Sequence, residues 1–378
     1  MIYLKNFENR SDYNDFLNDD GQEKFHNTSL VSGKTEYDKY ASMPLTFQII
    51  GNSDYEEGDT YTIYLNYGVS DTSLKRTIEY RINGGEWDEV TFGDDEIDGL
   101  EPGDLVEFYC SETGPYDGEG EAYHCTFGTD VAFNVFGNIN SLNAYSDNLS
   151  SYQYRYLFYL CDKLISAKNL VLPSLYAPES CYRNLFRDCT NLVTAPSILP
   201  ATEVDEFGYQ GMFSGCHALK NPPKLMATTL AYGSCKYMFE FCTSLKESPE
   251  IIVEMVGEYC FEGFFKGCKN LIKPPKKLPA LTLAEYCYIN MFSGCTNLKT
   301  APELPATELT DYCYQSMFIG CTNLKYIKCL ATSTAYGSTN VWVSGVQTTS
   351  GTFVKHPSME SWSFGISGIP DNWTVQEA

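Results

Sequence analysis

The sequence predicts a multidomain, mixed α/β protein: an acidic β-sandwich of immunoglobulin type, then a solenoid of leucine-rich coils, then a small β cap. Three observations carry that expectation. A frame of an aromatic, two residues, a cysteine, two residues and a leucine recurs seven times, at Phe158/Cys161/Leu164, Phe186/Cys189/Leu192, Phe213/Cys216/Leu219, Phe239/Cys242/Leu245, Phe265/Cys268/Leu271, Phe292/Cys295/Leu298 and Phe318/Cys321/Leu324. Between residues 43 and 135 apolar and polar residues alternate with a period of two. Residues 1–150 carry 30 acidic and 8 basic side chains, net −22, against 19 and 18, net −1, in residues 151–378. The charge step places a boundary near residue 150, and 378 residues accommodate two or three domains.

Residues 1–40 are polar, with Phe7, Tyr13, Phe16 and Phe25 spaced through them. Such a stretch holds too little apolar surface to fold alone, so it reads as an arm that docks on a partner or on the next domain. In residues 41–140, segments 45–50, 61–65, 76–82, 87–92, 104–109 and 132–135 read as strands. Asn83-Gly84-Gly85 between two of them signals a hairpin, because Asn and Gly accept the positive φ of a tight turn. Short strands at this spacing predict the immunoglobulin-type sandwich.

The solenoid is expected over residues 150–330. Frame cysteines lie 28, 27, 26, 26, 27 and 26 residues apart, a period typical of stacked coils that bury one another's apolar faces. From Leu172, Leu199, Leu225, Ile251, Leu278 and Leu304 to the next frame cysteine the distance is always 17, so this constant segment is packed and the remainder is a bend. Within it apolar residues recur every four positions, as in Leu283, Cys287, Met291 and Cys295, which predicts a short helix ending at Gly215, Gly267, Gly294 or Gly320 in a left-handed cap. Pro196, Pro222, Pro223, Pro249, Pro274, Pro275 and Pro302 in the variable segment limit any strand there to a short one. Residues 331–378, rich in Gly, Ser and Thr and carrying Trp342, Trp362 and Trp373, are expected to cover the last coil with strands near Thr352 and Trp373.

Cys295-Thr296-Asn297-Leu298, the following Leu304-Pro305-Ala306-Thr307, and Tyr312-Cys313-Tyr314 with Met317-Phe318 resemble BspA-like leucine-rich repeats, known from surface proteins of gut and oral bacteria and from phages that infect them. The resemblance covers roughly half the chain. Leu225-Met226, Ile251-Ile252, Gly208 and Ser234 depart from the pattern, which implies distorted coils there. With the acidic front part and the closing Ser-Gly-Ile-Pro-Asp-Asn-Trp-Thr-Val, the order of parts is similar to virion proteins of tailed phages of gut bacteria, including the crAss-like group.

No nucleophile elbow, phosphate loop, dinucleotide fingerprint or His-Glu-x-x-His is present, and His26, His124, His217 and His356 are scattered, so no enzyme, cofactor or metal is expected. The acidic front half repels phosphate, which argues against a nucleic acid partner. Clusters at residues 54–59, 94–98 and 117–121 lack EF-hand spacing and read as solvated loops rather than calcium sites. No window approaches a membrane span, and the opening residues lack a secretory signal, so the chain is expected to be soluble and made in a cytoplasm. Thirteen of fifteen cysteines lie at residue 161 or later and read as small, buried, reduced side chains.

Two columns are candidate ligand surfaces. Lysines of the variable segments, Lys220, Lys246, Lys273, Lys299 and Lys325 among them, form a stripe able to attract an anionic glycan or an acidic protein, or simply solubilise an exposed edge. Seven residues before each frame cysteine stand aromatics including Tyr182, Tyr209, Tyr288 and Tyr314, which either stack on sugar rings or wedge between coils. The resemblance implies a non-enzymatic virion head fibre or decoration protein, assembled in the host cytoplasm. Its N-terminal arm would hold capsid or other virion proteins, its repeats would face host glycan or protein, and it would form a homo-oligomer. A bacterial surface adhesin is the alternative.

Overall fold

The computed structural model describes residues 36–51, 55–67, 76–114, 125–346, 349–360 and 362–378. The arm therefore lies outside the described residues up to residue 35, as do the acidic cluster at 117–121, His124, and Asp54 of the cluster at 54–59.

The expected mixed α/β class is corrected to an almost entirely β protein. Among the described residues helical structure is confined to α1 (Glu36–Ala41) and a 3-10 turn at Ile139–Asn143. Strands β1 (Leu45–Ile49), β2 (Tyr61–Tyr67), β3 (Thr77–Ile82), β4 (Asp88–Thr91), β5 (Glu96–Leu100), β6 (Leu105–Tyr109), β7 (Cys125–Thr129) and β8 (Phe133–Asn138) form the front half. They make two facing sheets, with order β4-β3-β6-β1-β8 in one and β5-β2-β7 in the other. Phe47 and Phe108 from the larger sheet each meet Phe127 from the smaller with ring centroids 4.9 Å apart, so alternation does bury one face of each sheet. At the predicted hairpin Asn83 and Gly84 take φ of 52° and 72°, and the Gly85 N–H donates to the Ile82 carbonyl at 2.9 Å.

The immunoglobulin topology is corrected as well. In that fold the first strand pairs with the second. Here β1 lies antiparallel between β6 and β8, while β7 takes the place beside β2. The pairings join strands far apart in sequence, and local alternation carries no information about them.

The sheet does not stop at residue 150. Strand β9 (Leu164–Val171), the variable segment of the first coil, pairs in parallel with β8. On the other side of β8, Gly137 lets the chain entering β1 approach closely: its φ is 86°, and a Cβ there would sit 1.9 Å from the Pro44 carbonyl oxygen. A backbone atom cannot swing aside, so Gly137→Ala is expected to cost about 3 kcal/mol or more, measured by urea unfolding.

Behind the junction the chain is a β-solenoid of leucine-rich coils. Strands β10 (Tyr176–Ala177), β12 (Glu203–Val204), β14 (Thr229–Leu230) and β15 (Met255–Val256) form one parallel ladder. Strands β11 (Ile198–Leu199) and β13 (Lys224–Leu225) pair in a second, and β16 (Thr300–Leu304), β17 (Tyr326–Cys329), β18 (Thr352–Lys355) and β19 (Thr374–Glu377) make a third that runs through the C-terminal segment. In the proline-bearing segment β11 and β13 are two residues long, whereas β16 runs five residues through Pro302 with a shift of register.

The constant segment is not a helix. Its N–H groups alternate between two partners: Phe186 N–H donates to Met212 O in the next coil at 2.9 Å, Leu185 N–H donates to Tyr182 O three residues back at 3.2 Å, and this pattern repeats coil after coil. A residue with positive φ stands at every fourth position: Ser180, Asn184 and Asp188 in one coil, Phe207, Gly211 and Gly215 in the next, then Gly233, Tyr237 and Phe241. The result is a ribbon of β-turns with a period of four, close enough to 3.6 that apolar spacing alone does not separate the two. Gly215, Gly267, Gly294 and Gly320 are left-handed as expected, with φ of 77°, 75°, 73° and 72°, but they turn the ribbon rather than cap a helix. Each non-glycine residue held this way costs on the order of 1–2 kcal/mol, so burial between coils must offset it.

That burial is supplied by the frame. The rings of Phe158, Phe186, Phe213, Phe239, Phe265, Phe292 and Phe318 stack with centroids 5.3 to 5.8 Å apart. Phe127 of the sandwich opens the column, 5.9 Å from Phe158, and Trp342 closes it, 6.0 Å from Phe318. From Cys189 onward each frame cysteine donates its thiol to the carbonyl of the frame phenylalanine one coil back, as Cys189 does to Phe158 at 2.9 Å and Cys321 to Phe292 at 3.1 Å, while Cys161 donates to Phe127 of the sandwich. Cysteine fits because its thiol is small and apolar yet still a weak donor. All fifteen cysteines are free and buried. A thiol reagent at neutral pH is expected to modify the native chain hardly at all, and every cysteine once it is denatured.

Candidate functional site

The constant ribbon faces solvent with every residue it does not bury, and the coil repeat sets these residues in columns along the molecule. Tyr182, Tyr209, Tyr288 and Tyr314 are not among them. Each is at most 1% exposed, and they stack inside the solenoid, Tyr182 on Tyr209 at 5.8 Å and Tyr288 on Tyr314 at 5.9 Å. Of the two roles considered for this column, wedging between coils is the one its position serves. Where Cys235 replaces an aromatic in the column, a cavity of about 10 Å³ remains, lined by Tyr209, Met226, Ile251 and Phe261 among others. Two of the departures from the repeat pattern, Leu225-Met226 and Ile251, border this gap.

The lysines are at the surface, on the strand segments. Lys220, Lys246, Lys299 and Lys325 share a column, as the bond from Lys325 N–H to Lys299 O at 2.9 Å shows, with Ile272 at the intervening position. Lys273 stands one residue further along, in register with Glu247, and forms an ion pair with it. The stripe is therefore interrupted at its middle coil. Exposed ion pairs of this kind contribute little to stability.

A second aromatic column lies on the ribbon and was not singled out from sequence. Phe207, Tyr232, Tyr259, Tyr286, Tyr312 and Tyr336 run coil to coil with centroids 5.3, 5.5, 4.6, 4.8 and 5.4 Å apart. The central three are stacked at 6° and 10°, whereas Tyr336 stands perpendicular to Tyr312 and is 74% exposed. Phe207, Tyr259, Tyr286 and Tyr312 all hold positive φ, near 56°. In the two coils where that position is Gly233 or Gly337, the residue before it, Tyr232 or Tyr336, carries the ring instead. This one-residue shift hid the column: read at fixed spacing it breaks twice.

Carboxylates accompany the rings. Glu206, Glu258, Glu285 and Asp311 each immediately precede a ring of the column. Asp311 accepts the Tyr336 N–H at 3.1 Å. Beside them Lys236 lies over the Tyr237 and Tyr259 rings, 5.2 and 5.5 Å from their centroids, and pairs with Glu262 at 2.7 Å. The strip is aromatic, hydroxyl-bearing and mildly acidic.

Among the described residues no three His, Cys, Asp or Glu side chains stand together as a metal site, and no helix is long and apolar enough to cross a membrane. No protein-family model and no curated protein sequence matches the chain. Among solved structures it is similar to a leucine-rich repeat protein from Bacteroides ovatus, with 20% identity, coverage of 66% of this chain and 72% of that one, and a TM-score of 0.32.

Proposed function

We propose that the protein is a non-enzymatic adhesive rod, in which the β-sandwich and the arm before it attach to a larger particle and the solenoid presents its side columns to a host surface. The observation that carries this reading is the division of each coil between a filled interior and a patterned exterior. Rings and thiols occupy the inside, while the polar and aromatic variation is placed where a partner of extended shape touches many coils at once. Repeat solenoids use such surfaces for binding.

The particle is a tailed-phage virion, with this chain as a head fibre or decoration protein held by capsid or other virion proteins. This placement rests on the resemblance of the repeats, acidic front part and closing segment to such proteins. Mass spectrometry of purified particles tests it: the chain is expected there in many copies, and its recovery instead from a bacterial envelope fraction would establish the adhesin alternative. Binding of the purified chain to intact host cells tests the adhesive role separately, and a chain that leaves cells untouched would remove it.

A further inference from the structure

We propose that the outward column from Phe207 to Tyr336, with its flanking carboxylates, is the binding strip, and that its ligand is a neutral polysaccharide laid lengthwise across several coils. This rests on the adhesive reading above and assigns it a site and a ligand class.

The first argument is the persistence of the ring. Inside the solenoid a missing aromatic is tolerated, since Cys235 leaves its gap unfilled. On the outside, where packing demands less, no coil from the one holding Phe207 to the one holding Tyr336 lacks a ring, and the sequence position shifts by one residue to supply it at Tyr232 and Tyr336. Tyr259, Tyr286 and Tyr312 also occupy left-handed backbone that Gly or Asn would adopt with less strain, as Asn290 does one turn further along the same ribbon. These three strained residues are only half-buried, and the strain they hold points to a role outside the fold.

The second argument is chemical. Tyr232 and Tyr336, set at 87° and 90° to Phe207 and Tyr312, are 40% and 74% exposed and offer ring surface to a ligand. Sugar C–H faces stack on such rings, and sugar hydroxyls donate to carboxylates such as Glu258, Glu285 and Asp311. The same carboxylates repel uronic acids and sulfates, so the strip selects against anionic glycans. Those would be drawn to the lysine column on the strand segments, a different part of each coil.

The test uses the full chain against soluble neutral and sulfated polysaccharides, a glycan array, a basic peptide and host cells. The variants are Tyr286→Asn with Tyr312→Asn, Tyr336→Ser alone, and Lys299→Ala with Lys325→Ala. Asn keeps the left-handed backbone, and Tyr336 lies at the exposed end, so unfolding midpoints should stay near that of the parent. The expected result is at least a tenfold loss of affinity for a neutral polysaccharide in the tyrosine variants and none in the lysine variant. Retention of only anionic glycans, binding to the basic peptide instead of sugar, or neutral binding that survives both tyrosine variants would each overturn the assignment. If cells are bound equally by parent and tyrosine variants, the strip fails and the adhesive role stands; if nothing binds cells, both fail.

Discussion

Phe239→Ala is expected to lower stability by about 3–5 kcal/mol, the usual cost of removing a buried aromatic. Phe239 is fully buried, stacks on Phe213 at 5.4 Å and Phe265 at 5.8 Å, and meets Phe264 edge-on at 5.2 Å. Each coil touches only its neighbours, so a hole at the middle coil weakens the interface that joins the two halves of the molecule. Urea unfolding should then separate into two steps, with the coils after residue 265 exchanging amide hydrogens before those that adjoin the sandwich. A loss below 1 kcal/mol with a single step would show that the stack is not what couples the coils.

Alkaline pH should unfold the chain over a narrow range. Burial pushes the Cys235, Cys321 and Cys329 thiols up from 9.0 to about 12, and raises Cys189, Cys242 and Cys295 well above 9.0. The folded chain thus holds these protons more tightly than the unfolded chain does. Stability from this source is complete below pH 9 and is lost as pH rises from 9 toward 12. At about pH 10.5 each such thiol favours the unfolded state by about 2 kcal/mol, and several together exceed the margin of an ordinary domain. Thiolate absorbance and circular dichroism should change in one step; thiolate appearing near pH 9 in a chain that is still folded would contradict the burial of these groups.

The parts of the structure legible in the sequence were those set by period. The frame of Phe, Cys and Leu placed seven coils but not the one holding Tyr336 and Trp342, and strands at 352–355 and 374–377 stand where the tail was expected to form them. In the sandwich, alternation located β1, β2, β3, β4, β6 and β8, while β5 and β7 escaped notice because Gly99 and Gly128 interrupt their patterns. Strand order was not legible, since β1 finds its partners more than fifty residues away. The ribbon was read as helix because turn pairs and helical turns both repeat near four residues, although Gly211 with Gly215 and Gly263 with Gly267 hinted at left-handed backbone at that interval. Of the two tyrosines in Tyr312-Cys313-Tyr314, Tyr314 is buried in the solenoid and Tyr312 belongs to the half-buried column on the ribbon. Which side of a turn ribbon a residue occupies depends on φ, and a tyrosine in the left-handed region announces nothing in the sequence.

The pairing of β8 with β9, and the stacking of Phe127 on Phe158, mean that no linker separates the front of the molecule from its coils. A load applied at the far end is carried by shear along shared strands and compression of one continuous aromatic spine instead of being absorbed by a hinge. Attached at its front, the molecule would therefore behave as a stiff lever with its direction fixed by the mount, and drag on its tip would be felt directly at the anchor.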